Sequence, residues 1–425
     1  MAAQTIDLTA YAVDLAKNAR QAGYQIAQTH GRVRDMALRL AAELLRQRAG
    51  QIIEANARDL AAGQKAGLSK AILERLKLDD KRVAGMASDV EQVAAQVDPV
   101  GQIIDGWVRP NGLRIEKVRV PIGSILIIYE ARPNVTSDAA SLCIKSGNAC
   151  ILRGGKEALH SNTEIGRVFR DAITDAALPL RTVQVVETTD RTLVPILLKQ
   201  NEYIDLVVPR GGESLIRAVV ADSTIPVIKH YTGNCHVYVD AGTEPVADSV
   251  RQVCVNAKVQ RPAICNAAET FLFHKDAAKV LLPMVCQALV DKGVEIRGCE
   301  RTRCLFEKAQ PATEDDWYKE YLDLIVAVKV VDSLEEAIEH VNRYGSHHTD
   351  AILTLSLPAA DQFVAGVDSA SVMVNATTRL SDGGVYGLGA EVGISTDKLH
   401  ARGPMGAADL TTYKYVVRGE WHLRT

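Results

Sequence analysis

Apolar positions in the first hundred residues recur at helical spacing. Val33, Met36, Leu40 and Leu44 lie three or four residues apart, which sets them on one face of a helix. Residues 8 to about 95 therefore read as successive helices, punctuated by Gly50, Gly63 and Gly67. Such a layer carries no chemistry of its own and reads as the cover of a sheet. Near residue 101 the pattern changes. Trp107-Val108-Arg109 and the alternating run 113–120 flank Pro110-Asn111-Gly112, and Asn-Gly between alternating runs predicts a β-hairpin. Its second strand alternates apolar with charged residues, so one face is expected to meet water or another subunit.

Beyond the hairpin, short apolar runs alternate with amphipathic ones. Residues 125–129, 149–152, 183–186, 204–208 and 225–228 read as strands separated by helices. Ser161-Asn162-Thr163-Glu164 has the form of a capping box ahead of Ile165, Val168, Phe169 and Ile173. The pattern then starts again, with strands at 269–273, 294–296, 325–331, 351–354 and 372–374. Helices near 246–257, 276–290 and 358–367 lie between them, and Ser333-Leu334-Glu335-Glu336 caps another. Apolar strands alternating with helices predict an α/β chain with two parallel sheets, each covered on both faces. The boundary between the two domains is expected near 235–245. Residues 381–407 are glycine-rich and irregular, reading as an ordered loop or a lid. The run 411–417 reads as a terminal strand, and a lone strand needs a partner. Pairing with the 107–120 hairpin across a subunit boundary would satisfy both.

Composition narrows the class. A chain of 425 residues with 47% hydrophobic and 24% charged residues is ordinary for a globular protein of two or three domains. The formal net charge is −3 and aromatics are 5%, so neither a basic stripe nor a base-stacking platform points to nucleic acid. No apolar run approaches the about 18 residues that a membrane span needs. Asp7, Asp14, Lys17 and Arg20 interrupt the first 30 residues, where a secretory signal would be apolar. The eight cysteines include no C-x-x-C pair and no His pair at zinc spacing. A cytoplasmic protein with reduced thiols and no metal site is expected.

Chemistry concentrates at residues 256–270, NAKVQRPAICNAAET. Cys265 falls between a helix and a β-prone run, where reactive groups are commonly carried. Arg261 and Lys258 are close in sequence, and nearby positive charge favours thiolate. The alternative is a buried thiol acting as a small hydrophobe. Two glycine pairs follow strands: Gly154-Gly155 within Arg153-Gly154-Gly155-Lys156, and Gly211-Gly212 within Arg210-Gly211-Gly212-Glu213-Ser214. Carboxyl ends of strands are where open α/β sheets bind ligands, and helix N-termini attract phosphate. Both pairs are also compatible with ordinary turns. Neither G-x-G-x-x-G in its usual setting nor a Walker A string occurs. Asn134, after Pro133 at a strand end, has an amide suited to a developing oxyanion or to a turn. Of the adjacent pair His347 and His348, at most one faces the thiol if the chain is extended there. A thiol hydrolase, and a non-catalytic binding protein, remain open on these residues alone.

The strings EARPNVTSDAASLCIKSGNACILRGGKEA, VPRGGESL, NAKVQRPAICNAAET, SHHTDAI and GLGAEVGISTDKLHARGPMG occur in that order. Together they resemble the γ-glutamyl phosphate reductase (glutamate-5-semialdehyde dehydrogenase) family, a divergent branch of the aldehyde dehydrogenase superfamily. The resemblance runs over essentially the whole chain. It implies two Rossmann-like parallel-sheet domains plus a small β oligomerisation element. Residues 1–106 and 121–240 would bind NADP, 241–405 would carry the catalytic cysteine, and 107–120 with 406–425 would mediate assembly into a dimer or dimer of dimers.

By the same resemblance, Cys265 and Asn134 are the catalytic pair. Arg153, Gly154, Gly155, Lys156, Arg210, Gly211, Gly212, Ser214, Gly233 and Glu320 face NADPH. The substrate-side candidates rest on charge and location instead: Arg132, Arg261 and Arg379, with His347, His348 and Asn375 as polar pocket residues. The implied reaction is reduction of γ-glutamyl phosphate to glutamate 5-semialdehyde in proline biosynthesis, with glutamate 5-kinase as a functional partner. Another semialdehyde dehydrogenase of the superfamily is the alternative. One departure stands out: where hydrolytic members carry a water-activating glutamate, this chain has His230.

Overall fold

The computed structural model describes residues 7–424. The chain divides into two compact units. One holds the residues up to Lys229 together with Gly387–Gly393 and Leu399–Thr425; the other holds His230–Tyr386 and Ile394–Lys398.

The first unit is built on a four-stranded parallel sheet. Its strands, in spatial order, are Val183–Val185, Ala149–Arg153, Ser124–Tyr129 and Leu206–Arg210. Expectation and structure differ at its edge. Residues 225–228 contribute only an isolated bridge from Val227 to Val207. Alternation along the strands feeds two cores. Ile125, Ile127 and Leu152 pack with Leu38, Val83 and Phe169. Leu126, Ile128 and Ile151 pack with Leu15, Ala19 and Leu197. The helices Leu8–Ile26, Gly31–Gln47, Ala49–Lys65, Lys70–Leu76 and Asp80–Ala95 account for the early apolar periodicity.

The expected capping box at Ser161 is not one. The helix begins earlier, as Leu159–Asp175, and Ser161 lies buried inside its first turn. Asp59 caps it from another helix, accepting the N–H groups of His160 at 3.2 Å and Ser161 at 2.8 Å and the Ser161 hydroxyl at 2.6 Å. A carboxylate brought in by tertiary packing satisfies the orphan donors that sequence reading assigned to a local side chain.

The hairpin strands are Ile103–Val108 and Arg114–Pro121. At its turn the Gly112 N–H donates to the Arg109 carbonyl at 2.8 Å, and Gly112 has φ +92°, a conformation that favours glycine. The terminal strand Thr411–Arg418 pairs antiparallel with Arg114–Pro121 of the same chain. This corrects the expectation of pairing across a subunit boundary: the partner that the lone strand requires is its own hairpin. Trp107 and Tyr415 meet edge to face at 6.3 Å on this sheet.

The second unit is built on a seven-stranded parallel sheet in the order Gln310–Pro311, Glu295–Gly298, Ile325–Val331, Ala268–His274, Cys235–Val239, Thr349–Leu353 and Ser371–Val374. Cys235–Val239 was expected in the first domain, ending at 240. It pairs instead with Ala268–His274 and Thr349–Leu353, so the sheets part before residue 235. Residues 387–393 and 399–405, expected in the catalytic domain, group with the first unit. Phe271, Phe273, Val237 and Val328 fill one core, and Tyr238, Leu272 and Ile352 the other.

Lys258 and Glu269 form a fully buried ion pair in this unit, 2.6 Å apart. Burial pushes both towards their neutral forms, Glu269 up to about 7 and Lys258 downward, and each charge partly holds the other. Removing one partner strands the other in an apolar interior. Lys258→Met is therefore expected to destabilise this unit by about 3–5 kcal/mol, and Lys258→Met/Glu269→Leu to recover much of the loss. Chemical unfolding of the three proteins checks both outcomes.

Candidate active site

Strand register assembles the centre of the second unit. Cys235 pairs with Ala268, and His236 pairs with Thr270 and Asp350. The residues just before these three strands are thereby brought side by side, and they include His230, Gly233, Cys265 and His348. One ligand atom from each of His230, Cys265 and His348 lies within 4.8 Å of the others. The rings of the two histidines meet edge to face at 5.4 Å.

Cys265 sits in the loop between helix Ala247–Val259 and strand Ala268–His274 and is a partly exposed residue. The loop is tied down on its far side. The Ala267 N–H donates to the Ile264 carbonyl at 3.0 Å, and the Asn266 amide donates to the Ser381 carbonyl at 2.9 Å. Gly233 presses against it from the other side. A Cβ at Gly233 would lie 1.9 Å from the Cys265 carbonyl oxygen and 2.4 Å from its Cα. Asn234 anchors the segment beside Gly233, donating to the carbonyls of Trp317 at 2.7 Å and Tyr344 at 2.8 Å. Gly233, expected to face a nucleotide, thus also serves as the close-packing partner of the cysteine loop. Cys235 is buried beneath it, and its thiol donates to the Cys265 carbonyl at 3.2 Å. Burial and neighbouring anionic groups push that thiol well up, which keeps it protonated.

The expected cations sort differently. Lys258 is committed to Glu269 and supplies no free charge to the thiol. Arg379 takes that place. Burial lowers the affinity of its guanidinium for a proton, Arg261 adds to the effect, and the Asp382 carboxylate opposes it, with Cys265 and Cys235 among its other electrostatic neighbours. Its Nε donates to Gln260 at 2.8 Å, while its buried Nη1 has no hydrogen-bond partner among the described residues. A buried donor of this kind, beside a second arginine, suits an anionic ligand.

His347 and Asn375 lie elsewhere. His347 adopts φ +60°, and its Nδ1 pairs with the Asp368 carbonyl at 2.6 Å, whereas its neighbour His348 is fully buried in the thiol cluster. Asn375 adopts φ +54° and accepts the Thr354 N–H at 2.9 Å. It lines a separate cavity with Thr243, Val250 and Leu355. Neither joins the Cys265 group, because the backbone turns each away at a strand end. Glu320 follows helix Glu314–Tyr318 and is partly exposed. In the sequence His230 stands out only as a departure from a glutamate, and nothing local to it marks it as a neighbour of Cys265. Cys235 gave no signal beyond its residue type.

In the first unit the glycine loops do stand at strand carboxyl ends, around Glu130. Glu130 follows strand Ser124–Tyr129, and its carboxylate accepts the Gly212 N–H at 3.0 Å. A Cβ on Gly211 would lie 2.6 Å from the Glu130 carboxyl carbon, and one on Gly154 would lie 2.1 Å from the Asn162 amide nitrogen. These glycines are first a packing requirement. Part of the N-terminus of helix Glu213–Asp222, expected to be kept for phosphate, is taken by the chain's own carboxylate. Ser214 and Lys156 are exposed nearby in sequence, as is Arg132 after the central strand. Arg153 is buried and donates to the carbonyl of Gly154 at 2.6 Å, yet its Nε has no partner among the described residues. That orphaned donor fits a nucleotide oxygen. Arg210 lies 3.7 Å from Glu391.

Asn134 opens helix Asn134–Lys145 and is exposed; its amide donates to Asp138 at 3.0 Å. The i,i+4 spacing of the two residues corresponds to one helical turn. Burial raises Asp138 to about 7, the Asp89 carboxylate adds to the rise, and the Asn134 hydrogen bond and Arg210 oppose it. Because the folded protein holds this proton more tightly than the unfolded chain, Asp138 contributes a loss of stability as pH rises from about 4 towards 7. Asp138→Asn is expected to flatten stability across that window; unfolding midpoints measured at several pH values check it.

A family model described as the aldehyde dehydrogenase family matches residues 2–295. A γ-glutamyl phosphate reductase of Moorella thermoacetica is 52% identical over 408 residues, covering 96% of this chain and 97% of that protein. One from Rhodopirellula baltica is 48% identical over 423 residues, covering 100% and 97%. The crystal structure of γ-glutamyl phosphate reductase from Thermotoga maritima superposes with a TM-score of 0.94 at 46% identity, over 97% of this chain and 100% of that one. An acetylating aldehyde dehydrogenase from Geobacillus thermoglucosidasius shares the fold at 16% identity, with a TM-score of 0.68 over 99% and 100% of the chains.

Proposed function

This chain belongs to the aldehyde dehydrogenase family, in its γ-glutamyl phosphate reductase branch, and from that premise we propose that it reduces L-glutamate 5-phosphate to L-glutamate 5-semialdehyde with NADPH, releasing phosphate. The observation that carries the reading is a partly exposed Cys265, on a loop tied down from both sides and in the electrostatic reach of Arg379, whose buried Nη1 has no hydrogen-bond partner among the described residues.

The Cys265 thiolate attacks the acyl carbon, and the bond from that carbon to the phosphate oxygen breaks. Arg379 and Arg261 hold the anionic substrate, which carries an α-carboxylate and a phosphate. On the family relationship, the Asn134 amide and the Cys265 backbone N–H are the oxyanion donors. Bound NADPH supplies the hydride that reduces the resulting thioester. The carbon–sulfur bond then breaks, the oxyanion collapses to the aldehyde, and the thiolate is restored. Arg153, with Lys156 close in sequence, would hold the ribose side of the cofactor, and Glu320 would hold its nicotinamide ribose. His230, rather than a carboxylate, at the place of a water-activating base supports transfer of the acyl group to hydride or phosphate rather than to water. Such a product feeds proline biosynthesis, with glutamate 5-kinase as the supplier of the acyl phosphate, in a cytoplasmic oligomer.

The reverse reaction tests this reading. With glutamate 5-semialdehyde, formation of NADPH is expected to require NADP and inorganic phosphate together. Equal rates with and without phosphate, or preference for an unrelated aldehyde, would overturn it.

A further inference from the structure

We propose that His230, Cys265 and His348 form a zinc site in which a thiophilic divalent cation binds directly to the Cys265 sulfur and silences it. The three candidate ligand atoms lie within 4.8 Å of one another. A tetrahedral zinc with nitrogen bonds of about 2.0–2.1 Å and a sulfur bond of about 2.3 Å sets its ligands about 3.3–3.7 Å apart. Closing the group by about an ångström is within the reach of side-chain torsions, above all for the partly exposed Cys265 and His230.

Both rings are held as metal-binding imidazoles are usually held. His230 Nδ1 pairs with the Ile394 carbonyl at 2.9 Å, and His348 Nδ1 pairs with the Thr349 hydroxyl at 2.9 Å. A carbonyl partner holds the proton on His230 Nδ1 and leaves Nε2 as its ligand atom. His348 Nδ1 also lies 3.8 Å from the Cys235 sulfur; the tautomer that carries its proton on Nδ1 is the one that offers Nε2 to a metal. One sulfur and two imidazoles are a borderline-soft set that selects zinc over magnesium or calcium. Three protein ligands leave the fourth position to water or to an anion drawn by Arg261 and Arg379.

Binding displaces the thiol proton to solvent and forms a zinc–sulfur bond. The sulfur lone pair that would attack an acyl carbon is then engaged. Arg379 beside the thiol disfavours added positive charge, so the ion is expected to exchange with chelators rather than serve as a permanent structural metal. The site rests on the ligand geometry; its consequence for turnover rests on the cysteine mechanism above, and the test separates the two.

The test follows alkylation of Cys265 by iodoacetamide in the full chain, mapped by peptide mass, over a range of chelator-buffered Zn(II). Zinc is expected to slow alkylation of wild-type Cys265 at least about tenfold, with magnesium without effect. His230→Ala is expected to raise the zinc concentration needed for half protection by at least about 10–100-fold. Co(II) is expected to give a thiolate-to-metal charge-transfer band that Cys265→Ser abolishes. Should the buried His348 prove necessary for folding, His230→Ala and the cobalt spectrum carry the test. Zinc protection absent in wild type, or undiminished by His230→Ala, would overturn the site, as would a cobalt band that survives Cys265→Ser. Alkylation does not depend on turnover, so protection in a protein without reductase activity would sink the proposed reaction and leave the metal site standing.

Discussion

Replacing Cys265 with serine is expected to lower turnover at least about 10⁴-fold, the scale seen when a covalent nucleophile is removed from an otherwise intact site. The chemistry requires an attacking atom that is both a good nucleophile and a good leaving group. A serine hydroxyl is neither near neutral pH without a strong general base. The two imidazoles beside it are oriented through Nδ1 by weaker partners than a carboxylate: His230 pairs with a backbone carbonyl and His348 with a hydroxyl. The acyl-enzyme would moreover become an ester, which accepts hydride less readily than a thioester. Binding of NADPH should be retained, because Arg153 and the glycine loops belong to the other unit. Steady-state rates with a parallel cofactor titration check both halves; a Cys265→Ser protein with even a tenth of wild-type activity contradicts the covalent role.

Replacing Gly233 with alanine is expected to cost about 10²-fold or more in turnover while leaving the protein folded, because a misplacement of about 1 Å at a reacting group costs about that factor. The added methyl would stand 1.9, 2.4 and 2.5 Å from the carbonyl oxygen, Cα and carbonyl carbon of Cys265. All three are backbone atoms, so no rotamer change relieves the overlap. Either the Cys265 loop or the 230–234 segment must shift. The loop is held by Asn266 and the segment by the two hydrogen bonds of Asn234, so both carry the strain. The discriminating readout is the reactivity of Cys265 towards iodoacetamide beside the circular dichroism spectrum. An altered alkylation rate with an unchanged spectrum is expected; wild-type turnover would show that the loop moves freely.

Periodicity was enough for the architecture because both sheets are buried on both faces. The run 125–129 is continuously apolar and 325–331 is broken only by Lys329, and each needs helices on either side. What periodicity does not carry is partnership over distance. Asp59 caps a helix about a hundred residues further on, and nothing local to Asp59 marks it for that task. The terminal strand announced that it needed a partner without saying which chain supplies it. The site shows the same division. Cys265 and the glycine pairs stand out through residue type and neighbours. His230 and Cys235 enter through strand register, which sets residues some 30 and 110 positions apart side by side. The glycines deceived in a physical way. A residue without a side chain suits close packing as well as phosphate, and Gly211 and Gly233 are both used here against the chain itself. Lys258 looked like a charge near the thiol until its buried partner Glu269, eleven residues on, came into view.

The most direct measurement of the central claim is a single-turnover experiment in the absence of phosphate. Enzyme, NADP and glutamate 5-semialdehyde are mixed, NADPH formation is followed, and the protein is then digested for mass analysis. The account predicts a burst of one NADPH per active site, a stall, and a γ-glutamyl adduct on the peptide carrying Cys265, with turnover resuming when phosphate is added. Continuous NADPH formation without phosphate, or a burst that leaves Cys265 unmodified, would contradict it.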